Sequence, residues 1–282
     1  MSTTKAAYHV RSTSLPSRSH PLTVAVEAQL DRLRSSQATS SSASHKLGDL
    51  KDLLDGTDAL LQLPISRQAL SNGCMDCLLD GSLQLLDACS STKDTLSQLR
   101  DCLKELQSSF RRKRGGESCL SSDIEAYRVS RKNLRQAIVK ILRNLKAMDK
   151  NNTLDSSSSV ISSMLKEVEQ VCTSVFASIL SSISPSMEKS RQGGWSIVSR
   201  LLHSKPKRVS PQVEVEANEV VNMDAELFAL KSSKEITSEQ VQNALKGLQS
   251  LESSIQEVEE ELECVYRRLL KAKVSLLNIL NH

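Results

Sequence analysis

The sequence predicts an all-α protein, an elongated bundle of long antiparallel helices with a coiled-coil-like C-terminal helix. Three observations predict it. Phe, Tyr and Trp together make up only 2% of the 282 residues, whereas sheets draw heavily on aromatic and β-branched side chains. Gly 9 and Pro 6 are scarce, which leaves few tight turns. Leu occurs 41 times and recurs at the three-, four- and seven-residue spacings that put one apolar stripe on a helix.

Residues 1–21 read as a flexible Arg/Ser-rich arm, with Pro16 and Pro21 and no apolar period. Residues 22–282 read as a single helical-bundle domain with Ser-rich linkers near 35–45, 151–159 and 204–215. A first helix is expected from Leu22 to about Ser35, with Leu22, Val26, Leu30 and Leu33 on one face. A second covers Lys46–Leu63 with Leu47, Leu50, Leu54 and Leu61 as its stripe, and Pro64 ends it.

No proline occurs between Arg67 and Arg112. Leu78, Leu85, Leu99 and Leu106 recur at seven-residue spacing, with Thr92 the polar member of the series. The stretch is one long helix, or two with a kink near Ser90–Ser91. Gly81 inside it costs up to about 1 kcal/mol relative to alanine, and is read as a close approach to a neighbouring helix. Arg111 to Arg114, followed by Gly115 and Gly116, close the helix by offsetting its dipole and breaking its backbone. The return helix spans 121–149. Ile124, Arg131, Ile138 and Leu145 share one heptad position, and Tyr127, Leu134, Ile141 and Met148 share another. Ile161, Leu165, Val168, Val175, Ile179 and Ile183 mark a further helix to about Ser184, and Trp195–His203 reads as a short one.

The final segment has the most regular period. Leu248, Ile255, Leu262, Leu269 and Leu276 repeat every seven residues, and Leu251, Val258, Val265, Ala272 and Ile279 repeat three residues later. Sustained a/d-type spacing of this kind makes a packing seam. Leu248, Leu251, Ile255, Val258, Leu262, Val265 and Leu269 are therefore the candidate interaction residues. Glu252 and Glu259 edge the seam on one side, Glu261 and Arg268 on the other. Its partner is either another chain or the protein's own long helices, which offer matching stripes.

Charge is nearly balanced: Lys+Arg 37 against Asp+Glu 33 leaves +4. That falls short of the basic bias of a nucleic-acid-binding domain, so no nucleic acid partner is expected. Cys 7 is an odd number scattered through helical segments, which reads as reduced, mostly buried thiols in an intracellular protein. The expected compartment is the cytoplasm. The alternatives are the plastid, because residues 1–26 are Arg- and Ser-rich with no acid, the nucleus, and a membrane surface.

Motifs of chemistry are few. None of H-E-x-x-H, G-x-S-x-G, a Walker loop or G-x-G-x-x-G occurs, and His9, His20, His45, His203 and His282 are isolated. Cys74 and Cys77 have metal or redox spacing, but no second pair completes a zinc site. They read as packing thiols. No catalytic residue, cofactor or metal is assigned, and the protein is expected not to be an enzyme. The run Arg111 to Arg114 reads as a solvated helix end, with a nuclear import signal or an acidic-lipid patch as alternatives. The sharpest short pattern is R-S-x-S-x-P, formed by Arg11, Ser14 and Pro16. An arginine three residues before a serine suits a basophilic kinase, and Pro16 keeps the chain extended. Phosphorylated Ser14 would then dock on 14-3-3 proteins, whose arginine cluster reads the phosphate.

Several of these stretches resemble a plant family, the BYPASS-related proteins (domain of unknown function 241). The likeness begins at Tyr8-His9-Val10-Arg11-Ser12-Thr13-Ser14-Leu15-Pro16 and continues through Leu60-Leu61-Gln62-Leu63-Pro64. Its most specific parts are Leu78-Leu79-Asp80-Gly81-Ser82-Leu83-Gln84-Leu85-Leu86-Asp87 and Leu106-Gln107-Ser108-Ser109-Phe110-Arg111-Arg112-Lys113-Arg114. Ser130-Arg131-Lys132-Asn133 also fits, and Cys74-Met75-Asp76-Cys77 departs from it. The resemblance covers nearly the whole chain. It implies a context of root and shoot development and no established biochemical activity. A helical scaffold or protein-interaction protein is the function expected; the alternative is a peripheral membrane or organelle-associated helical protein using basic patches.

Overall fold

A computed structural model describes residues 20–38, 42–71, 75–112, 117–151, 159–184, 215–233 and 236–281. Among them are eight helices and no strand: α1 Pro21–Ala38, α2 Ala43–Leu61, α3 Pro64–Ser71, α4 Met75–Arg112, α5 Glu117–Asn151, α6 Val160–Ile183, α7 Val215–Ser232 and α8 Ser238–Leu280. The arm segment 1–19 and residues 195–203 lie outside the described residues.

Local chemistry sets the ends. Pro21 and Pro64 open α1 and α3, a first-turn position where a missing N–H costs nothing. Ser42 and Ser159 cap α2 and α6 by accepting from the amides of His45 and Ser162. Thr237 and Gln240 form a reciprocal capping box on α8. Ser66 donates to the carbonyl of Leu60 at 2.6 Å and fixes the corner between α2 and α3.

Several boundaries differ from expectation. Residues 35–38, read as linker, belong to α1, because the Ser35 and Ser36 hydroxyls donate to the Asp31 and Leu33 carbonyls. Of the two readings of Arg67–Arg112, the helix is continuous through Ser90–Ser91, but it begins at Met75, and Arg67–Ser71 belongs to α3. Thr92 and Thr95 return their hydroxyls to the carbonyls of Ala88 and Ser91 and sit buried inside a continuous α4. Helix α7 was not anticipated, although Val220, Met223, Leu227 and Leu230 bury one face of it.

Helix α6 is the hub. It packs against α1, α2, α3, α4, α5 and α7. It is covered almost all round: only Val160 and Ser181 are exposed, and Lys166, Glu167, Gln170 and its other serines are at least partly covered by the neighbouring helices. No helix among the described residues is long and apolar enough to cross a membrane. Helix α8, 43 residues long, extends roughly 65 Å at 1.5 Å per residue. It runs antiparallel to α4 and parallel to α2, as its paired charges show below.

Candidate functional site

All seven seam residues, Leu248, Leu251, Ile255, Val258, Leu262, Val265 and Leu269, are buried within the chain's own bundle. The seam packs on α4 and α2. Its two charged edges sort by neighbour. On the α4 side, Glu252 pairs with Lys104 at 3.6 Å, Glu259 with Arg100 at 3.0 Å and Glu263 with Lys93 at 2.5 Å. On the α2 side, Glu261 pairs with Lys51, Arg268 with Asp55 at 2.9 Å and Lys271 with Asp58 at 2.9 Å. The ascending order on α2 and descending order on α4 fix the directions and the register. Gln107 also reaches across, donating to the Leu248 carbonyl and to Glu252.

Burial shifts groups beside the seam toward their uncharged forms. Burial pushes the Cys89 thiol up to about 12, with Lys93 opposing the rise, and its Sγ lies 3.6 Å from the Leu262 carbonyl. Cys172 is raised by burial and then by Glu169. Burial likewise raises Glu259, against the pull of Arg100. Such thiols are poor nucleophiles.

A polar cluster that the sequence did not announce joins α5 to α7. Asp224 accepts from the Tyr127 hydroxyl at 2.9 Å, from Arg131 Nε and Nη2 at 3.3 and 3.1 Å, and from Arg135 Nη2 at 3.0 Å. Arg131, 3% exposed, also donates to the Ile183 carbonyl at the end of α6. Burial first and the Asp224 charge second raise the Tyr127 hydroxyl above its ordinary range. Around this centre Lys231 pairs with Glu125, and the Arg128 guanidinium lies 5.7 Å from the Phe228 ring centre. One signal was present: Arg131 shares a heptad position with Ile124, Ile138 and Leu145, so a cation had to enter the core and find a partner. Both Asp224 oxygens are occupied, and the cluster is a clamp across three helices.

The other sequence candidates are dispersed. Arg11, Ser14 and Pro16 lie outside the described residues. Arg111 and Arg112 end α4 exposed, bonded to Gln107 and Ser109, and Lys113 and Arg114 lie outside the described residues. Cys77 corrects two readings: it is exposed, because it falls on the outward face of the first turn of α4, and it is disulfide-bonded and not a reduced packing thiol, whereas Cys89, Cys102, Cys172 and Cys264 are free. Gly81 meets its expectation, since an added methyl there would lie 2.2 Å from Glu169 Oε1 on α6. Between α4 and α5 a cavity of about 500 Å³ is lined by both signs of charge, Lys104 and Arg112 with Glu105 and Asp123. No group of three or more His, Cys, Asp or Glu among the described residues is arranged to hold a metal ion.

Fold and side chains together define an all-α bundle whose interior polar groups lock helix to helix. A family model described as Protein BPS1 matches residues 46–279, from the first turn of α2 to the last of α8, and the chain belongs to that family. No match was found among curated proteins or among solved structures.

Proposed function

We propose that the protein is a non-enzymatic helical scaffold that works through protein contacts in plant root and shoot development. The developmental context rests on the family. The observation that carries the scaffold reading is the use made of interior polar side chains. Tyr127, Arg131, Arg135 and Asp224 close on one another between α5 and α7, and the seam charges close between α8 and its neighbours. Such closure gives a stiff body that presents its outer faces and its arm. The partner surface is assigned to the arm, with phosphorylated Ser14 docking on 14-3-3 proteins, in the cytoplasm.

The test is purification of the tagged full chain from root and shoot extracts, with sizing of the native assembly. Stoichiometric protein partners and a mass above the 31.1 kDa single chain are expected. Elution at the single-chain mass with no enriched protein would sink the reading.

A further inference from the structure

Cys77 is disulfide-bonded and exposed in the first turn of α4. The chain has seven cysteines, and Cys89, Cys102, Cys172 and Cys264 are free. The bond therefore runs to Cys74 or Cys119. Helices α4 and α5 are antiparallel: Leu106 and Ser109 line one cavity with Asp123 and Ala126, and Gln84 and Asp87 line another with Asn144 and Ala147. Residue 119 opens α5 at the far end of α4, roughly 50 Å from Cys77 at 1.5 Å per residue. Residues joined by a disulfide have Cα atoms within about 7 Å. Cys74, which lies outside the described residues, is left as the partner.

This bond is poorly suited to holding the fold. It closes a ring of only four residues, and a cross-link constrains the unfolded chain less as its loop shortens. The corner between α3 and α4 is already held by Leu70, Met75 and Leu78, all buried in the core. The bond is well suited to exchange. Cys77 is open to an attacking thiol, and the first turn of a helix has backbone amides without an intrahelical partner, which favour a leaving thiolate. The core thiols offer no competition, since Cys89 and Cys172 are 0% exposed.

We propose that the Cys74–Cys77 bond is a reversible thiol–disulfide exchange site, opened by an external dithiol while the bundle stays folded. One thiolate of the dithiol attacks Cys77 Sγ, the bond to Cys74 breaks, and Cys74 leaves as a thiolate that takes up a proton. The second thiolate of the dithiol attacks its own sulfur in the mixed disulfide. That closes the dithiol into a cyclic disulfide and frees Cys77, which takes up the second proton. Two electrons pass from the dithiol to the cysteine pair, and the oxidised dithiol returns them in the reverse step. This goes beyond the scaffold reading, and the two fail separately, one on partner capture and the other on thiol labelling.

The experiment equilibrates the full chain with reduced and oxidised dithiothreitol at a series of ratios. Free thiols are then blocked with iodoacetamide without denaturant, and the labelled peptides are mapped. Cys77 and Cys74 should pass together from almost unlabelled to almost fully labelled as the reduced form increases, while Cys89 and Cys172 stay unlabelled. The melting temperatures at the two ends of the series should lie within a few degrees of each other. Cys74→Ser should leave Cys77 labelled at every ratio, and Cys119→Ser should leave the titration unchanged. Wild-type Cys77 labelled at every ratio, or labelled only after denaturant is added, would overturn the proposal. So would loss of the helical signal on reduction, which would make the bond a staple of the fold. Release of Cys77 by Cys119→Ser would overturn it by giving the bond another partner.

Discussion

Gly48 and Gly81 both sit inside helices, and their surroundings reverse what a methyl group does there. Around Gly48 nothing lies within 4 Å of an added Cβ. Gly48→Ala should therefore gain up to about 1 kcal/mol of helix propensity. At Gly81 the same gain competes with Glu169, whose Oε1 would be 2.2 Å away. That carboxylate is the movable end of its side chain, but it is buried, and displacing a buried polar group from its contacts costs roughly 1–3 kcal/mol. Gly81→Ala should lose about 1 kcal/mol net. Urea unfolding of both variants checks the pair; a Gly81→Ala protein more stable than wild type would remove Glu169 as the reason for the glycine. Asp224 supplies a second residue-scale test. Removing it leaves Arg131 buried without its counter-charge, so Asp224→Ala should cost about 3 kcal/mol. Arg131→Leu/Asp224→Leu should recover part of that loss, because the buried cation goes with its partner and Arg135, 40% exposed, can turn to water. If the double variant is no more stable than the single, charge pairing is not what the clamp contributes.

At the scale of elements, what could be read in the sequence follows from how long a pattern persists. The seam of α8 repeats over five heptads, and its edge charges alternate in step, so both the buried stripe and the two flanking edges were legible. Helix α7 was not, because Val220, Met223, Leu227 and Leu230 repeat over only about three turns and follow a proline-containing stretch. The boundary at Ser35 failed for a different reason. Serine is read as linker, yet its hydroxyl bonds to the carbonyls of the preceding turn and prolongs α1. The clamp lay beyond reading for want of any local mark: Arg131 announced a need for a partner, but Asp224 is one of 33 acids, 93 residues away. The seam itself is tested by Leu262→Asp. Leu262 is fully buried between α8 and its neighbours, and the lysines that reach its chain neighbours, Lys51 and Lys93, are already held by Glu261 and Glu263. We expect several kcal/mol of destabilisation with no change of mass by light scattering, since the seam is filled by the chain's own helices. A variant that melts within about two degrees of wild type would show that these layers are not a core.

The whole molecule combines a locked bundle with an arm of different composition. The bundle pairs Asp224 with Tyr127, Arg131 and Arg135 and the seam acids with α4 and α2, whereas residues 8–21 have no apolar period, no acid and the Arg11, Ser14, Pro16 arrangement. A phosphate on Ser14 adds roughly −1.5 to −2 charges to a segment otherwise free of negative charge. It can form charge-assisted bonds to an arginine cluster, and a proline at position 16 disfavours helix at the residue before it. If the arm docks through this chemistry alone, binding must depend on the phosphate, the kinase must depend on Arg11, and the bundle must be indifferent to both. A Ser14-phosphorylated peptide spanning residues 8–21 should retain 14-3-3 proteins, and the unphosphorylated peptide should not. In the full chain, Arg11→Ala should lower phosphorylation of Ser14 by a basophilic kinase. Ser14→Ala should abolish capture while leaving the melting temperature where it was. Equal retention by phosphorylated and unphosphorylated peptides would rule the mechanism out, and a melting temperature lowered by several degrees in Ser14→Ala would instead make the arm part of the bundle's packing.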